Sequence, residues 1–151
     1  MPDLDNTQKD SYFVAVKVFL EKDNSFFIFK DKFGNWDLPG GRIKKDEFNT
    51  SLEDIVARKL REEIGDSVKY RLESQPKILM RHERTESSPT STTARILAIG
   101  FRAKLLSGDP KLSDAHTEML WVDTKTFRPE NYFTGGWLEG VKDYLAIQKL
   151  T

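Results

Sequence analysis

The sequence predicts an α/β fold, a sandwich in which helices cover a mixed β-sheet, and three observations support this class. Two apolar, strand-like segments near the N-terminus are separated by the short polar segment EKDN, as in a β-hairpin. The strongest helical pattern, at about residues 50–64, is the first helical pattern after this hairpin. Strand-like segments outnumber helical ones along the chain, and this mixture favours layers of helix packed on sheet.

The length and composition are those of one globular domain. With 151 residues, 38% of them hydrophobic and 17 aromatic (10 Phe, 4 Tyr and 3 Trp), the chain can bury a substantial core. The first ten residues, MPDLDNTQKD, are polar and acidic. We therefore expect a flexible N-terminal arm over residues 1–10 and a single domain over residues 11–151.

Charge and cysteine content exclude several classes of function. The 24 basic and 24 acidic residues balance, which argues against a nucleic-acid partner, since such proteins carry a basic excess. The absence of cysteine excludes disulfides, zinc–thiolate sites and thiol nucleophiles. No apolar run resembles a signal peptide or approaches membrane-spanning length, so we expect a cytoplasmic protein with no membrane partner.

The first elements in the chain are two predicted strands and a loop. The segments YFVAVKVFL (residues 12–20) and SFFIFK (residues 25–30) are rich in β-branched and aromatic residues, as expected for buried strands. The next segment, DKFGNWDLPGGR (residues 31–42), contains three glycines and one proline. This composition predicts a loop.

The helix predicted near residues 50–64 has start, face and stop signals. Thr50 with Glu53, or Ser51 with Asp54, can form a capping box at its start. Gly65 is a typical residue at a helix C-terminus. Apolar residues recur every fourth position and predict the face that packs on the core, namely Leu52, Val56, Leu60 and Ile64.

The second half of the chain predicts three strands and a closing helix. The strands are expected at residues 76–84, 94–106 and 118–123. A polar segment, TESSPTST (residues 85–92), predicts a mobile loop between the first two of them. Residues 136–148 predict the closing helix, although Gly140 lies within it.

Two adjacent carboxylates, Glu62 and Glu63, stand near the end of the first predicted helix. On a helix they share one face with Lys59, because these positions are three and four residues apart. Carboxylates this close repel each other unless a cation lies between them, and oxygen ligands suit Mg²⁺ or Mn²⁺. The alternative is a solvated helix end, with Arg58 and Lys59 pairing with the two glutamates.

The segments WDLPGGRIKKDE and LREEIG together resemble the Nudix hydrolase family. Its signature is a glycine, five residues, a glutamate, seven residues, and then Arg-Glu-apolar-x-Glu-Glu-x-Gly-apolar. Gly41 and Glu47 have the opening spacing. The closing block is matched by Arg58, Leu60, Glu62, Glu63 and Gly65. With the preceding strand pair and the late segment HTEMLWVD, the resemblance covers most of the chain and implies a Nudix-like α/β/α sandwich with a mixed β-sheet.

Two departures of this chain from the family signature matter. Ten residues separate Glu47 from Arg58 where the family has seven, and the extra residues fit best at FNT, residues 48–50. Lys59 stands where the family carries the first glutamate of its Arg-Glu pair. That glutamate commonly binds metal or acts as the base, whereas a lysine would place a positive charge beside the cation.

The resemblance implies a reaction and a set of roles. The family uses divalent metal to cleave a nucleoside diphosphate linked to another group, so the expected partner is a small-molecule derivative of this kind; a homodimer is left open. Glu62, Glu63 and the backbone carbonyl of Gly41 would bind Mg²⁺ or Mn²⁺. Structural roles are implied for Gly40, Glu47, Arg58 and Gly65, with Glu47 pairing with Arg58. The alternative is a catalytically impaired nucleotide-binding module of the same fold.

A base must replace the missing glutamate. Glu118 is the first candidate because many family members place a functional acid in the late segment. His116 is the second because histidine suits proton transfer near neutral pH. Glu83 and Glu86 come third, and each of the four can instead be an exposed charge. His82 is interpreted as structural or solvent-facing.

Substrate contacts are expected around the glycine turn. Basic residues there can receive phosphates, or simply keep the loop soluble: Arg42, Lys44, Lys45 and, as a point charge, Lys59. Aromatic residues that can stack on a base, or pack in the core, are Trp36, Phe33 and Trp137. Which nucleoside diphosphate derivative is bound does not follow from these residues.

Overall fold

A mixed β-sheet with one helix packed on each face forms the parts of the chain that the computed structural model describes, residues 8–85 and 92–150. The strands are β1 (Phe13–Lys22), β2 (Ser25–Asp31), β3 (Trp36–Asp37), β4 (Gly40–Arg42), β5 (Lys69–Leu72), β6 (Ile78–Thr85), β7 (Thr93–Ser107) and β8 (His116–Asp123). The helices are α1 (Leu52–Ile64) and α2 (Gly135–Lys149), and single 3-10 turns occur at Lys45–Glu47 and Pro129–Asn131. This architecture confirms the predicted α/β sandwich.

Strand β1 is the centre of the sheet. It runs parallel to β7 from the pair Phe13↔Ile96 to the pair Glu21↔Lys104. Its far end pairs antiparallel with β2, and its first half pairs antiparallel with β4. Strand β2 pairs antiparallel with β3 and β8, and strand β7 pairs antiparallel with β5 and β6. The β1–β4 pairing places the Gly40–Arg42 segment against the first half of the central strand.

Two hydrophobic cores lie on opposite faces of the sheet because side chains alternate along β1. Val16, Val18 and Leu20 join the core under α1. Ala15 and Phe19 join the core under α2. Burial of each large side chain contributes roughly 1.5–3 kcal/mol, so both helices are held mainly by these contacts.

Helix α1 has the predicted face and caps. Ser51 is its N-cap, and the Ser51 hydroxyl accepts a hydrogen bond from the Asp54 N–H at 3.1 Å. Gly65 ends the helix with a φ of 85°, which an L side chain rarely adopts. The buried stripe is wider than the expected one, since Ile55 is fully buried while Leu52 is only half-buried.

The prediction of a loop over residues 31–42 is wrong for residues 36–37 and 40–42. That segment contains β3 and β4, because long-range pairing with β2 and β1 supplies the backbone hydrogen bonds that its local sequence does not signal. Strand β5 was not predicted either; it is a four-residue strand with no fully buried side chain. The sequence around it has no strong alternation to reveal it.

Helix α2 accommodates Gly140 because it packs closely on β6. A Cβ on Gly140 would overlap the side chain of Met80. The absence of a side chain at Gly140 therefore lets α2 lie close to β6, and the packing gained offsets the low helix propensity of glycine.

Two predictions concern residues that the structure does not describe. Residues 1–7 of the expected arm and residues 86–91 of the expected loop lie outside the described parts of the chain, so the arm, the loop and the domain limits stay predictions. In residues 8–85 and 92–150, no helix is long and apolar enough to cross a membrane.

Candidate active site

The Gly40–Gly41 turn is fixed by its pairing with β1. Gly41 lies opposite Val16, and Gly40 lies opposite Lys17. Gly40 has a φ of 145°, and a Cβ there would overlap the carbonyl oxygen of Val16. Only glycine therefore lets this turn lie flat against the central strand and present its backbone to α1.

Glu63 joins the end of α1 to this turn. Its Oε1 accepts a hydrogen bond of 2.7 Å from the Gly40 N–H, and its side chain is only 18% exposed. Burial raises the pKa of Glu63 to about 7, against the opposing effects of the Gly40 N–H and the Lys17 charge. Glu63 is thus a carboxyl group that can change protonation near neutral pH.

Glu62 has different partners and a different electrostatic state. The Arg58 guanidinium donates to Glu62 Oε1 at 3.0 Å, and Lys59 Nζ lies 3.8 Å from Glu62 Oε2. The hydrogen bond from Arg58 lowers the pKa of Glu62, so this half-exposed carboxylate is ionised at neutral pH. The two adjacent glutamates therefore differ. Glu62 is the outer glutamate and is ionised, whereas Glu63 is the inner glutamate and is readily protonated.

Glu47 and Arg58 connect the loop after β4 to α1. Arg58 donates two hydrogen bonds to Glu47, each of 2.7 Å, in a bidentate pair. The Lys44 N–H adds a third at 2.9 Å. The bond from Arg58 lowers the pKa of Glu47. The pair spans the ten intervening residues, so the loop is held against the helix despite its extra length.

Lys59 lies against the glycine turn. A Cβ built on Gly41 would be 2.6 Å from Lys59 Nζ and would overlap Cε. The Lys59 side chain is 21% exposed. The ammonium group is therefore held between the Gly41 backbone and Glu62.

A part-buried ion pair beneath the turn was not predicted from the sequence. Lys17 Nζ lies 2.9 Å from Asp37 Oδ1 and also donates to the Leu38 carbonyl at 3.3 Å. The Lys17 ammonium is 5.2 Å from the centre of the Trp137 ring. The only available signal was a single charge in the otherwise apolar segment YFVAVKVFL.

His116 lies beside the inner glutamate. Its Nε2 is 3.9 Å from Glu63 Oε2, its Nδ1 lies 3.2 Å from the Ser113 hydroxyl, and its ring stacks on Phe29 at 3.7 Å. Burial lowers the pKa of His116, which favours the neutral imidazole. The structure thus brings one of the two leading base candidates to the site.

A family comparison agrees with this arrangement. The model of the NUDIX domain matches residues 11–137, which is most of the chain and includes both the turn and α1. The chain belongs to the Nudix family. As a member, it is a Nudix-type pyrophosphohydrolase. No protein with a curated description shows significant sequence similarity to it.

Solved structures of Nudix proteins share the fold. The MutT protein of Methanosarcina mazei Go1 is 22% identical, with a TM-score of 0.65 over 93% of this chain and 96% of that one. An ADP-ribose pyrophosphatase of Streptococcus suis 89-1591 is 16% identical, with a TM-score of 0.64 over 91% and 92%. A protein of Jonesia denitrificans DSM 20603, described as a possible asymmetric diadenosine tetraphosphate hydrolase, is 15% identical, with a TM-score of 0.68 over 90% and 94%.

Nudix hydrolases generally use divalent metal ions, and the donors at this turn can be tested for such a role. Residues 8–85 and 92–150 contain no group of three or more His, Cys, Asp or Glu side chains suited to a metal ion. Two carboxylates, Glu62 and Glu63, do lie beside the turn. Mg²⁺ is commonly held by one or two carboxylates together with substrate phosphates and water. The donors therefore fit a cation that shares its ligands with a substrate.

The other base candidates pair with a cation of their own or lie outside the described residues. Glu118 is half-exposed on β8, and its Oε2 is 3.6 Å from Lys30 Nζ. Glu83 is exposed and pairs with Arg95 at 3.0 Å. Glu86 lies outside the described residues.

His82 has a structural environment. It stacks on Trp137 at 4.5 Å, and its Nδ1 accepts a hydrogen bond of 3.1 Å from the Gly136 N–H. These contacts connect β6 to the start of α2.

The expected basic substrate-binding residues differ in their surroundings. Lys44 and Lys45 are exposed at the loop after β4. The Arg42 guanidinium lies over the Phe13 ring at 4.3 Å from its centre. All three lie on or directly after β4, on the same segment as the glycine turn.

The aromatic candidates differ as well. Phe33 is 86% exposed and lies before the glycine turn, in the segment between β2 and β3. Trp36 is half-buried and packs edge-on against Tyr132 at 5.3 Å. Trp137 is half-buried between His82 and the Lys17 ammonium.

Proposed function

We propose that this Nudix hydrolase cleaves the pyrophosphate bond of a nucleoside diphosphate linked to another group, with Mg²⁺ or Mn²⁺ as its cofactor. The observation that carries the proposal is the 2.7 Å hydrogen bond from Gly40 to Glu63, which brings the glycine turn and the acidic end of α1 together. Two similar structures, an ADP-ribose pyrophosphatase and a possible asymmetric diadenosine tetraphosphate hydrolase, support a substrate of this class.

Glu62 and Glu63 would hold the cation, with the backbone carbonyl of Gly41 as an additional oxygen donor. When bound, the cation neutralises the charge that develops on the phosphate oxygens. Arg58 keeps Glu62 ionised, and the Gly40 N–H fixes the direction of Glu63. Glu47 positions Arg58 through the bidentate pair and takes no part in the chemistry itself.

His116 is the better placed base. Its imidazole lies 3.9 Å from Glu63, whereas the Glu118 carboxylate pairs with Lys30 and is 52% exposed. The Ser113 hydroxyl contacts Nδ1, which leaves Nε2 facing Glu63. A water molecule between Nε2 and a bound phosphorus could transfer its proton to His116.

Different residues would bind the phosphates and the nucleobase of the substrate. The basic residues on and after β4, Arg42, Lys44 and Lys45, would receive phosphate oxygens, as would Lys59. Trp36 would offer a ring face to the nucleobase. Trp137 is a second candidate, already stacked on His82.

The test is hydrolysis of a panel of nucleoside diphosphate derivatives with and without Mg²⁺. We expect metal-dependent cleavage of at least one member, and a loss of roughly 10²–10⁴-fold in kcat for His116→Ala if it is the base. Glu118→Gln should retain most of the rate. A matched control is Glu139→Gln, which changes an exposed acid on α2.

Two outcomes would contradict the proposal. Binding of nucleotides without any metal-dependent cleavage would favour a nucleotide-binding module. If calorimetry with a non-hydrolysable diphosphate present finds the same Mg²⁺ affinity in Glu62→Gln, Glu63→Gln and the wild type, the two glutamates are a solvated helix end and not metal ligands.

A further inference from the structure

All four carboxylate oxygens of the acidic pair already have a partner in the protein. Glu62 Oε1 accepts from Arg58 at 3.0 Å, and Glu62 Oε2 lies 3.8 Å from Lys59 Nζ. Glu63 Oε1 accepts from the Gly40 N–H at 2.7 Å, and Glu63 Oε2 lies 3.9 Å from His116 Nε2. A metal ion that binds both glutamates therefore approaches oxygens that already face protein groups, and one of these groups is the positively charged Lys59 ammonium.

Lys59 is the partner that competes most directly with a cation. Its ammonium lies beside both Gly41 and Glu62, the groups expected to supply oxygen ligands. The side chain is only 21% exposed, so the charge does not extend freely into solvent. A positive charge at this place repels a divalent cation and pairs with the carboxylate that the cation needs.

Lys59 is also the partner that can move most easily. A lysine ammonium is a point charge on a flexible four-carbon stem, whereas the Arg58 fork is held by its bidentate pair with Glu47. The Gly40 N–H is fixed by the β1–β4 pairing. An arriving phosphate offers the ammonium a new anionic partner, and the movement of Lys59 would expose Glu62 Oε2.

We propose that Lys59 acts as a built-in counter-ion that makes divalent-metal binding depend on the substrate's diphosphate. In the free protein Lys59 neutralises the acidic pair and keeps metal affinity low. When a diphosphate binds, the Lys59 ammonium moves to the phosphate oxygens. The metal ion would then bind Glu62 Oε2, which Lys59 has left. This inference rests on the proposed function and adds a coupling between the binding of the metal and the binding of the diphosphate.

The coupling can be measured without turnover. Free Mn²⁺ is followed by its electron paramagnetic resonance signal in titrations of wild type, Lys59→Met and Lys59→Glu. Each titration is repeated with methylenediphosphonate, a diphosphate analogue that resists hydrolysis. Since the analogue itself binds Mn²⁺, each dissociation constant is calculated at measured free metal and free analogue. Arg61→Met is the matched control, because Arg61 is an exposed cation on the same helix that lies near Tyr70.

We expect weak Mn²⁺ binding by the wild type alone and a marked increase in affinity with the analogue. Lys59→Met should bind Mn²⁺ more tightly in the absence of the analogue, on the order of tenfold, and Lys59→Glu more tightly still, because affinity follows the charge and number of ligands. The enhancement by the analogue should fall by a similar factor in Lys59→Met. Arg61→Met should match the wild type.

Three results would overturn the inference in distinguishable ways. Equal Mn²⁺ affinities for wild type and Lys59→Met, with hydrolysis of the panel intact, would refute the counter-ion role and leave the proposed function standing. An unchanged enhancement by the analogue in Lys59→Met would refute the coupling. Failure of the wild type to bind Mn²⁺ in either condition would refute both. Far-ultraviolet circular dichroism verifies the fold of each variant, and the wild-type titrations test the coupling if a variant does not fold.

Discussion

Glu63→Gln should change how the stability of the metal-free protein depends on pH. Glu63 is buried, and its pKa rises from the ordinary 4.5 to about 7 on folding. Between these values the folded protein retains a proton that the unfolded chain releases. Stability due to this group is therefore fully present below pH 4.5 and decreases as the pH rises to 7. Glutamine removes the titration and keeps an oxygen that can accept the Gly40 N–H.

The size of the effect follows from the shift. A difference of about 2.5 pKa units, at about 1.36 kcal/mol each, corresponds to ~3 kcal/mol, and residual exposure of 18% reduces it towards ~2 kcal/mol. Glu63→Gln should therefore be close to wild type in stability at pH 4.5 and more stable by ~2–3 kcal/mol at pH 8. Groups that affect or face the carboxyl are present in both proteins, namely Gly40, Lys17, Asp37, Lys59 and His116.

The assay is urea unfolding at several pH values between 4.5 and 8 with a chelator present. The quantity compared is the difference in the free energy of unfolding between variant and wild type at each pH. Glu62→Gln, measured also at pH values below 4.5, is the control of opposite sign, since the lowered pKa of Glu62 means that its stabilisation is present above pH 4.5 and is lost as the pH falls below that value. A constant difference between Glu63→Gln and wild type across this range would refute the argument from burial.

Three further predictions concern the fold around the site. Gly136→Ala should lower stability by about 1–3 kcal/mol, seen by thermal unfolding, because its Cβ would overlap a backbone oxygen of β6; an unchanged Tm would contradict this close packing. Arg58→Lys should lower both Tm and kcat, since lysine cannot reproduce the bidentate pair with Glu47; equal values would show that a point charge suffices. Lys17→Met should destabilise the protein by ~2 kcal/mol by leaving Asp37 without its ion partner, and the loss should be smaller in an Asp37→Asn background.

Local signals made α1 predictable. The Ser51 cap, the apolar repeat and Gly65 act within the helix itself, so they can be read without knowledge of the rest of the fold. The apolar strands were equally clear, because their burial on both faces requires a composition that few other structures share. The same holds for the Nudix signature, whose spacing located the turn and the two glutamates.

Contacts between distant segments were not predictable. The β1–β4 register decides that Gly40 meets Glu63, and no local pattern in DKFGNWDLPGGR specifies it. The different protonation states of Glu62 and Glu63 depend on that register. Consecutive residues of α1 point in different directions, and only Glu63 points towards Gly40. Lys17 was missed for the same reason, because its partner Asp37 is 20 positions away.

The bidentate pair between Glu47 and Arg58 makes residues 48–50, which precede the N-cap of α1, an insertion-tolerant segment. Because this pair fixes both Glu47 and Arg58, added residues change only loop-closure entropy, which rises by about 0.6 kcal/mol for each doubling of loop length. Phe48 is 88% exposed, and residues 49 and 50 are also exposed, so new residues here would meet solvent rather than the core. The same pair that positions the helix thus marks a place where a fluorescent reporter or an affinity tag could be introduced next to the site while the geometry of the glycine turn is preserved.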